Sequence, residues 1–289
     1  MTLSDLNRPI SEAPVWFVTG ASRGLGAAIV RVALNAGYRV VATSRNAGAI
    51  QAAFPNEKAE CLLALSLDVT VPGQAQSAVE ATVARYGRID VLINNAGYGQ
   101  LGQFEEVSEV AIKEQFETNV FGLMHVTRAV LPLMRTQRCG HIFNVSSIGG
   151  MAGFAGATVY CSSKFAVAGF SASLADEVAQ FGIKVTSVLP GYFRTDFLAA
   201  NSVRYGDSVL EDYSSTSTTL RSQFDNYNQQ QPGDPEKLAS ALINVAQHPQ
   251  PPLCFVVGAD AVSIASSEMN RVLGEIKDWR ALSETTNIS

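Results

Sequence analysis

Histidine is scarce in this 289-residue chain, with three copies at His125, His141 and His248, none spaced like a ligand pair. The four cysteines, Cys61, Cys139, Cys161 and Cys254, are scattered and form no CxxC motif. That pattern suggests neither a zinc site nor a disulfide framework, and no metal is expected. Cys61 and Cys254 fall in apolar strand-like runs, where a small buried thiol is the default. No apolar run is long enough to span a membrane, and the N-terminus MTLSDLNRPISEAP lacks a basic segment followed by an apolar one. A net charge of −5 gives no basic field for nucleic acid or an anionic membrane. With 47% hydrophobic and 16% charged residues, the chain reads as an apolar globular protein of a reducing, cytoplasmic setting. Its chemistry must come from side chains other than metal ligands.

What is present is a rhythm. Short β-branched runs at 15–19, 39–43, 61–67, 91–94, 141–145, 184–189 and 253–257 alternate with amphipathic stretches such as 25–35 and 72–86. Alternating strands and helices predict a doubly wound α/β fold, a Rossmann-type parallel sheet of about seven strands. The near-continuous apolarity of the strands agrees, because parallel strands are buried on both faces. A long helical block at 108–138 contains Pro132, which should bend or break it. Residues 1–14 read as a tail and 15–289 as one domain. The polar segment 195–232, containing YSSTSTTL and NYNQQQP, interrupts the rhythm after the sixth strand. At that place in an open α/β sheet a substrate lid is favoured over a surface excursion.

The stretch TGASRGLG (Thr19 to Gly26) follows the first strand and opens the first helix, the setting in which a glycine turn seats a dinucleotide. Gly20 permits the tight turn, Gly24 admits a pyrophosphate close to the backbone, and Gly26 allows helix–strand packing. Ser22 and Leu25 belong to the same turn, whose helix N-terminus offers N–H groups and a positive dipole end. The second strand ends at Ser44-Arg45, with no carboxylate there for a ribose 2′-hydroxyl. Arg45, with Arg23 in the glycine turn, favours a 2′-phosphate and hence NADP(H) over NAD.

Further along, SSIGGMAGFAGATVYCSSK sets Ser147 thirteen residues before Tyr160 and Lys164 four residues after it. On a helix, the i, i+4 spacing puts Tyr160 and Lys164 on one face. A nearby ammonium favours the phenolate, lowering a pKa that is otherwise about 10. Such a phenol can give a proton to an oxygen on which negative charge builds. Ser146 competes with Ser147 for the end of the fifth strand, and Cys161 points away from Tyr160 and reads as packing.

Taken in order, TGASRGLG, Asp68-Val69, Asn94-Asn95-Ala96-Gly97, Asn119, Ser147, Tyr160 with Lys164, and Pro190-Gly191 with Thr195 resemble the short-chain dehydrogenase/reductase family in its standard single-domain branch. The match covers about residues 15 to 260. NAGYGQLGQFEE and ATSRN look most like carbonyl reductases and hydroxysteroid-dehydrogenase-like members. The resemblance implies that Asp68 and Val69 hold the adenine, and that Asn95, Ala96 and Gly97 pack beside the adenosine ribose. It implies too that Pro190, Gly191 and Thr195 line the nicotinamide. Ser147 would bind the substrate oxygen, Lys164 the nicotinamide ribose, and Asn119 a water leading from Lys164 to solvent. The family's usual Ser-to-Tyr separation favours Ser147 over Ser146.

The expected activity is hydride transfer between NADP(H) and a ketone, aldehyde or secondary alcohol, without metal. Met151, Phe154, Tyr192, Phe193 and Phe197 flank the motifs and could furnish an apolar substrate pocket. The alternative is a catalytically silent, NADP(H)-sensing relative, which the presence of both Tyr160 and Lys164 disfavours. A sugar-nucleotide epimerase would carry a different glycine spacing and a longer substrate domain. Family members commonly form dimers or tetramers through helices that correspond to 108–138 and 158–181.

Overall fold

The computed structural model describes residues 13–199 and 202–288. The expected tail lies mostly outside them, at 1–12, while Ala13 is buried and its carbonyl accepts both Nε and Nη2 of Arg39. The main sheet has seven parallel strands: β1 (Val15–Val18), β2 (Arg39–Ser44), β3 (Leu62–Ser66), β4 (Val91–Asn94), β6 (Gly140–Val145), β7 (Ile183–Pro190) and β9 (Cys254–Val257). Their order across the sheet is β3-β2-β1-β4-β6-β7-β9. Two further strands, β5 (Gly99–Gln100) and β8 (Val203–Arg204), form a small parallel pair at the cavity side. All seven sequence-predicted strands are present, with ends that agree or differ by one residue.

Period-two alternation explains the layering. In β1, Val15 and Phe17 join the core under α3 (Pro72–Tyr86), α5 (Gly122–Gln137) and α6 (Thr158–Val178). Trp16 and Val18 point the other way, into the core under α1 (Gly24–Asn35) and α8 (Pro235–Gln247). Both faces of the sheet are thereby covered, which is why these strands carry no polar face. The remaining helices are α2 (Ala47–Ala53), α4 (Glu109–Phe116), α7 (Ser214–Tyr227) and α9 (Ala259–Ser283).

Two expectations are corrected. Pro132 does not break the block 108–138: it lies inside a continuous α5. Pro132 and Arg128, whose carbonyl loses its amide partner, are both exposed, so water replaces the missing bond. The irregularity falls earlier, where a π turn at Glu117–Phe121 joins α4 to α5. Cys254 is exposed and Cys61 only part-buried, because Cys254 opens the edge strand β9 and Cys61 precedes the edge strand β3. The polar segment 195–232 contains β8 and α7, and its pairing β5–β8 ties it to the loop that follows β4.

The strand order reverses between β1 and β4, the place where open α/β sheets keep a ligand crevice. The carboxyl ends of β1, β2, β3, β4, β6 and β7 all open there.

Candidate active site

The loops at those carboxyl ends enclose one cavity of about 660 Å³. Gly20, Ser22, Arg23, Gly24, Leu25, Ser44, Arg45, Asp68, Val69, Asn95, Ala96 and Gly97 line it. Ser147, Tyr160, Lys164, Pro190, Gly191 and Thr195 line it as well. Two sequence-predicted residues stand behind the wall. Gly26 packs against the glycine turn, where a Cβ would collide with the Gly20 carbonyl oxygen. Asn119, in the π turn, is buried and donates through Nδ2 to Tyr98 O (3.0 Å) and Ser163 Oγ (3.3 Å), while its Oδ1 accepts Tyr98 N–H (3.1 Å).

The glycine-turn end could hold an anion. Gly24 has φ +54, a conformation that admits glycine readily, and it opens α1, whose first turn has no acidic residue and no side-chain cap. The amides there are a ready cradle for phosphate. Asn95 braces the turn: its Nδ2 donates to the carbonyls of Thr19 and Gly20, at 2.9 and 3.1 Å. Thr19 Oγ1 in return accepts the backbone N–H groups of Asn95 and Ala96. The carboxylate of Asp68 accepts Thr70 N–H and Oγ1–H, which fixes the loop after β3. Arg45 is exposed at the rim, whereas Arg23 reaches across to Ser202 Oγ (2.8 Å).

At the other end Ser147 and Ser146 part company. Ser147 faces the Tyr160 phenol, and its Oγ accepts Gly149 N–H at 3.0 Å. Ser146 is buried and donates to Lys164 O (2.8 Å), pinning β6 to α6. Lys164 is itself buried; its ammonium donates to Val145 O (2.8 Å) and lies 5.7 Å from the Tyr160 ring centre. Burial lowers the Lys164 pKa to about 8. The lowering expected for Tyr160 is not what the protein alone produces. Burial pushes the phenol upward, the Cys161 and Tyr192 groups add to the rise, and the Ser147 hydrogen bond only partly opposes it. Cys161 is buried in an apolar cluster with Leu101, Ala157, Leu198 and Val203, as packing requires.

Of the expected apolar wall, Phe154, Tyr192, Phe193 and Phe197 line the cavity, and Phe197 tilts against Tyr160 at 5.6 Å between ring centres. Met151 does not; it packs with Ile148 and α9, on the far side of the turn that follows β6. Leu101, Leu198, Phe224 of α7 and Gln231 also line it and were missed in the sequence, since no spacing rule singles them out. Asp260, at the start of α9, was also missed. Its carboxylate accepts Tyr192 N–H (2.7 Å) and lies where a Gly191 side chain would be, so it fixes the loop after β7. His141 is buried against Thr186 Oγ1 (2.9 Å), its pKa lowered to about 3, and serves the core as a neutral ring. No group of three or more candidate metal ligands occurs among the described residues.

With this site in place, residues 14–205 of the chain match a known family model, short chain dehydrogenase. The chain belongs to the short-chain dehydrogenase/reductase family. It is similar to 3-ketodihydrosphingosine reductase of Bacteroides thetaiotaomicron, with 38% identity over 86% of this chain and 88% of that protein. A solved short-chain dehydrogenase from Streptomyces avermitilis superposes with a TM-score of 0.85 at 39% identity, covering 96% of this chain and 99% of that one. ElxO, solved with NADP bound, gives a TM-score of 0.68 at 27% identity over 82% of this chain and 93% of its own. This short-chain dehydrogenase/reductase is an NAD(P)-dependent oxidoreductase that acts on a small molecule. Among the described residues no helix is long and apolar enough to cross a membrane.

Proposed function

We propose that the enzyme reduces an apolar ketone or aldehyde with NADPH, or oxidises the matching alcohol with NADP. The observation that carries this reading is the cavity at the strand ends, with Ser147, Tyr160 and Lys164 on one wall and Phe154, Phe193, Phe197 and Phe224 around it. Apolar walls with few polar groups suit a substrate whose one polar feature is the carbonyl. The 3-keto lipid in the name of the Bacteroides relative is a substrate of that kind.

The residues fit a dinucleotide. The Gly20–Gly26 turn would hold the pyrophosphate, Asp68 and Val69 the adenine, and Asn95, Ala96 and Gly97 its ribose. Lys164 would hold the nicotinamide ribose, and Pro190, Gly191 and Thr195 the ring. When bound, the dinucleotide supplies the hydride that reaches the carbonyl carbon. Ser147 Oγ–H donates to the carbonyl oxygen and holds it beside Tyr160. Tyr160 Oη–H then gives its proton to that oxygen, which would otherwise carry full negative charge. Lys164, charged below about pH 8, stabilises the phenolate left behind. The Asn119 side chain is committed to Tyr98 and Ser163. A water leading from Lys164 to solvent would rest on its remaining lone pair or on the main chain of the π turn.

Replacing Tyr160 by Phe is expected to lower kcat by about 10²–10⁴, the usual worth of a positioned acid. Carbonyl reduction at wild-type rate in that variant, followed by nicotinamide absorbance, sinks the mechanism. The NADP preference rests on Arg45 at the rim and on the absence of an acid after β2. Arg45→Asp is expected to raise the NADPH Kd at least about tenfold, the loss of one charge-assisted contact, with little change for NADH. Equal NADPH affinity in wild type and variant removes the phosphate role. The proposal also includes a homodimer or homotetramer through the helices at 108–138 and 158–181, where Phe121 and Phe165 are exposed, in a cytoplasmic setting that suits four free thiols.

A further inference from the structure

The C-terminal helix α9 is attached to the molecule by its first turns alone. Ala261 and Ala265 are its buried residues, packed with Ile264 against Ile148 and Val256. From Arg271 onward every described residue except the half-buried Val272 is exposed. Yet this free portion is not polar all round. Met269, Leu273, Ile276 and Trp279 lie on one side and are 52% to 62% exposed. With Val262 and Leu282 they leave on the order of 600 Å² of apolar surface in water, at the upper limit for the largest patch of a monomer. That area approaches the ~800 Å² each partner gives to a standard interface.

The pattern also states what covers it. Met269 and Ile276 stand seven apart, as do Val272 and Trp279, the a and d positions of a heptad seam. Glu275 then falls at g and Arg280 at the following e, which two parallel copies bring together as opposite charges. A membrane surface fits poorly: the polar side mixes Glu268, Arg271, Glu275 and Asp278, whereas interfacial helices are rich in Lys and Arg. We infer that α9 is a self-association surface, and that its occupant is the α9 helix of a second copy of this chain, packed in parallel along the 269–279 seam.

Light scattering on the full chain after gel filtration tests this, with a Leu273→Glu, Ile276→Glu double variant and Asp278→Asn as a control on the charged side. The double variant is expected to halve the mass of the wild-type assembly, with unchanged circular dichroism, and the control to leave it intact. Trp279 gives a second readout, because the other tryptophan, Trp16, is buried in the core. Dilution of the wild type should shift Trp279 emission to the red and open it to acrylamide, and the double variant should show the open signal at every concentration. Equal masses for wild type and double variant overturn the inference. So does the same loss of mass on deleting residues 1–12, which makes the chain's own N-terminus the occupant. A Trp279 shift seen only with phosphatidylcholine–phosphatidylserine vesicles overturns it in favour of a membrane.

Discussion

Lys164 shows the tension between stability and chemistry at a single residue. Its ammonium is buried with one carbonyl partner, Val145 O, and its pKa falls from 10.5 to about 8. Between those values the unfolded chain binds the proton more tightly than the fold does. Stability of the cofactor-free protein therefore rises as pH climbs from about 8 to about 10.5, and below pH 8 the buried charge is a liability. The shift corresponds to about 3 kcal/mol; loss of the Val145 hydrogen bond takes back about 1 kcal/mol. Lys164→Met is thus expected to abolish turnover while raising Tm near pH 7 by roughly 5 °C, with the gain gone by pH 10.5. A variant less stable than wild type at pH 7 in differential scanning calorimetry contradicts the assignment. The presence of Ser147, Tyr160 and Lys164 was legible in the sequence because their spacing and order are specific as a set. The direction of the Tyr160 shift was not. It depends on how deeply the phenol is buried, and that is not a property of spacing.

Elements were legible where burial repeats. Strands covered on both faces must be apolar throughout, so β1, β2, β4, β6 and β7 announce themselves. Irregular joints announce nothing of the kind. Pro132 signals a break that α5 does not make, since its face is wet, while the π turn that does interrupt the helix carries no breaker residue. Its reason is tertiary: Asn119 is drawn in to hold both polar groups of Tyr98's backbone. The join between α9 and the loop after β7 is similar, a single carboxylate at the first turn of a helix. Asp260 touches no substrate in this arrangement; it is a positioning residue for Tyr192 and Gly191. Hydrogen bonds to charged groups are worth about 1.5–3 kcal/mol, so Asp260→Ala is expected to lower Tm by several degrees and, through the loosened loop after β7, to lower kcat/KM as well. Asp260→Asn retains an acceptor oxygen and should recover most of the activity. If Asn is as impaired as Ala, the hydrogen bond to Tyr192 is not what matters.

Across the whole molecule, stability is unevenly distributed in a way that matches the placement of the cavity. The central strands are buried on both sides by two apolar cores, and Trp16, Phe17, Ile93 and Phe143 have essentially no exposure. The α7 helix lies at the opposite extreme: it has no buried residue, and Phe224 and Tyr227 are only part-buried against the cavity cluster. Its main polar tether is Glu106, whose carboxylate accepts Leu210 N–H (3.0 Å) and Ser217 Oγ–H (2.6 Å). Segments with few buried contacts open at a small fraction of the global free energy. Amide hydrogen exchange is therefore expected to proceed fastest in α7 and slowest in β1, β4 and β6. Because Phe224 lines the cavity, a bound dinucleotide and ketone together should slow exchange in α7. The projecting part of α9 contributes no residue to the cavity, so it serves as the internal control. Protection in α7 that matches the central strands without ligand, or that fails to change with both ligands present, would show that this segment is a fixed wall of the site rather than its lid.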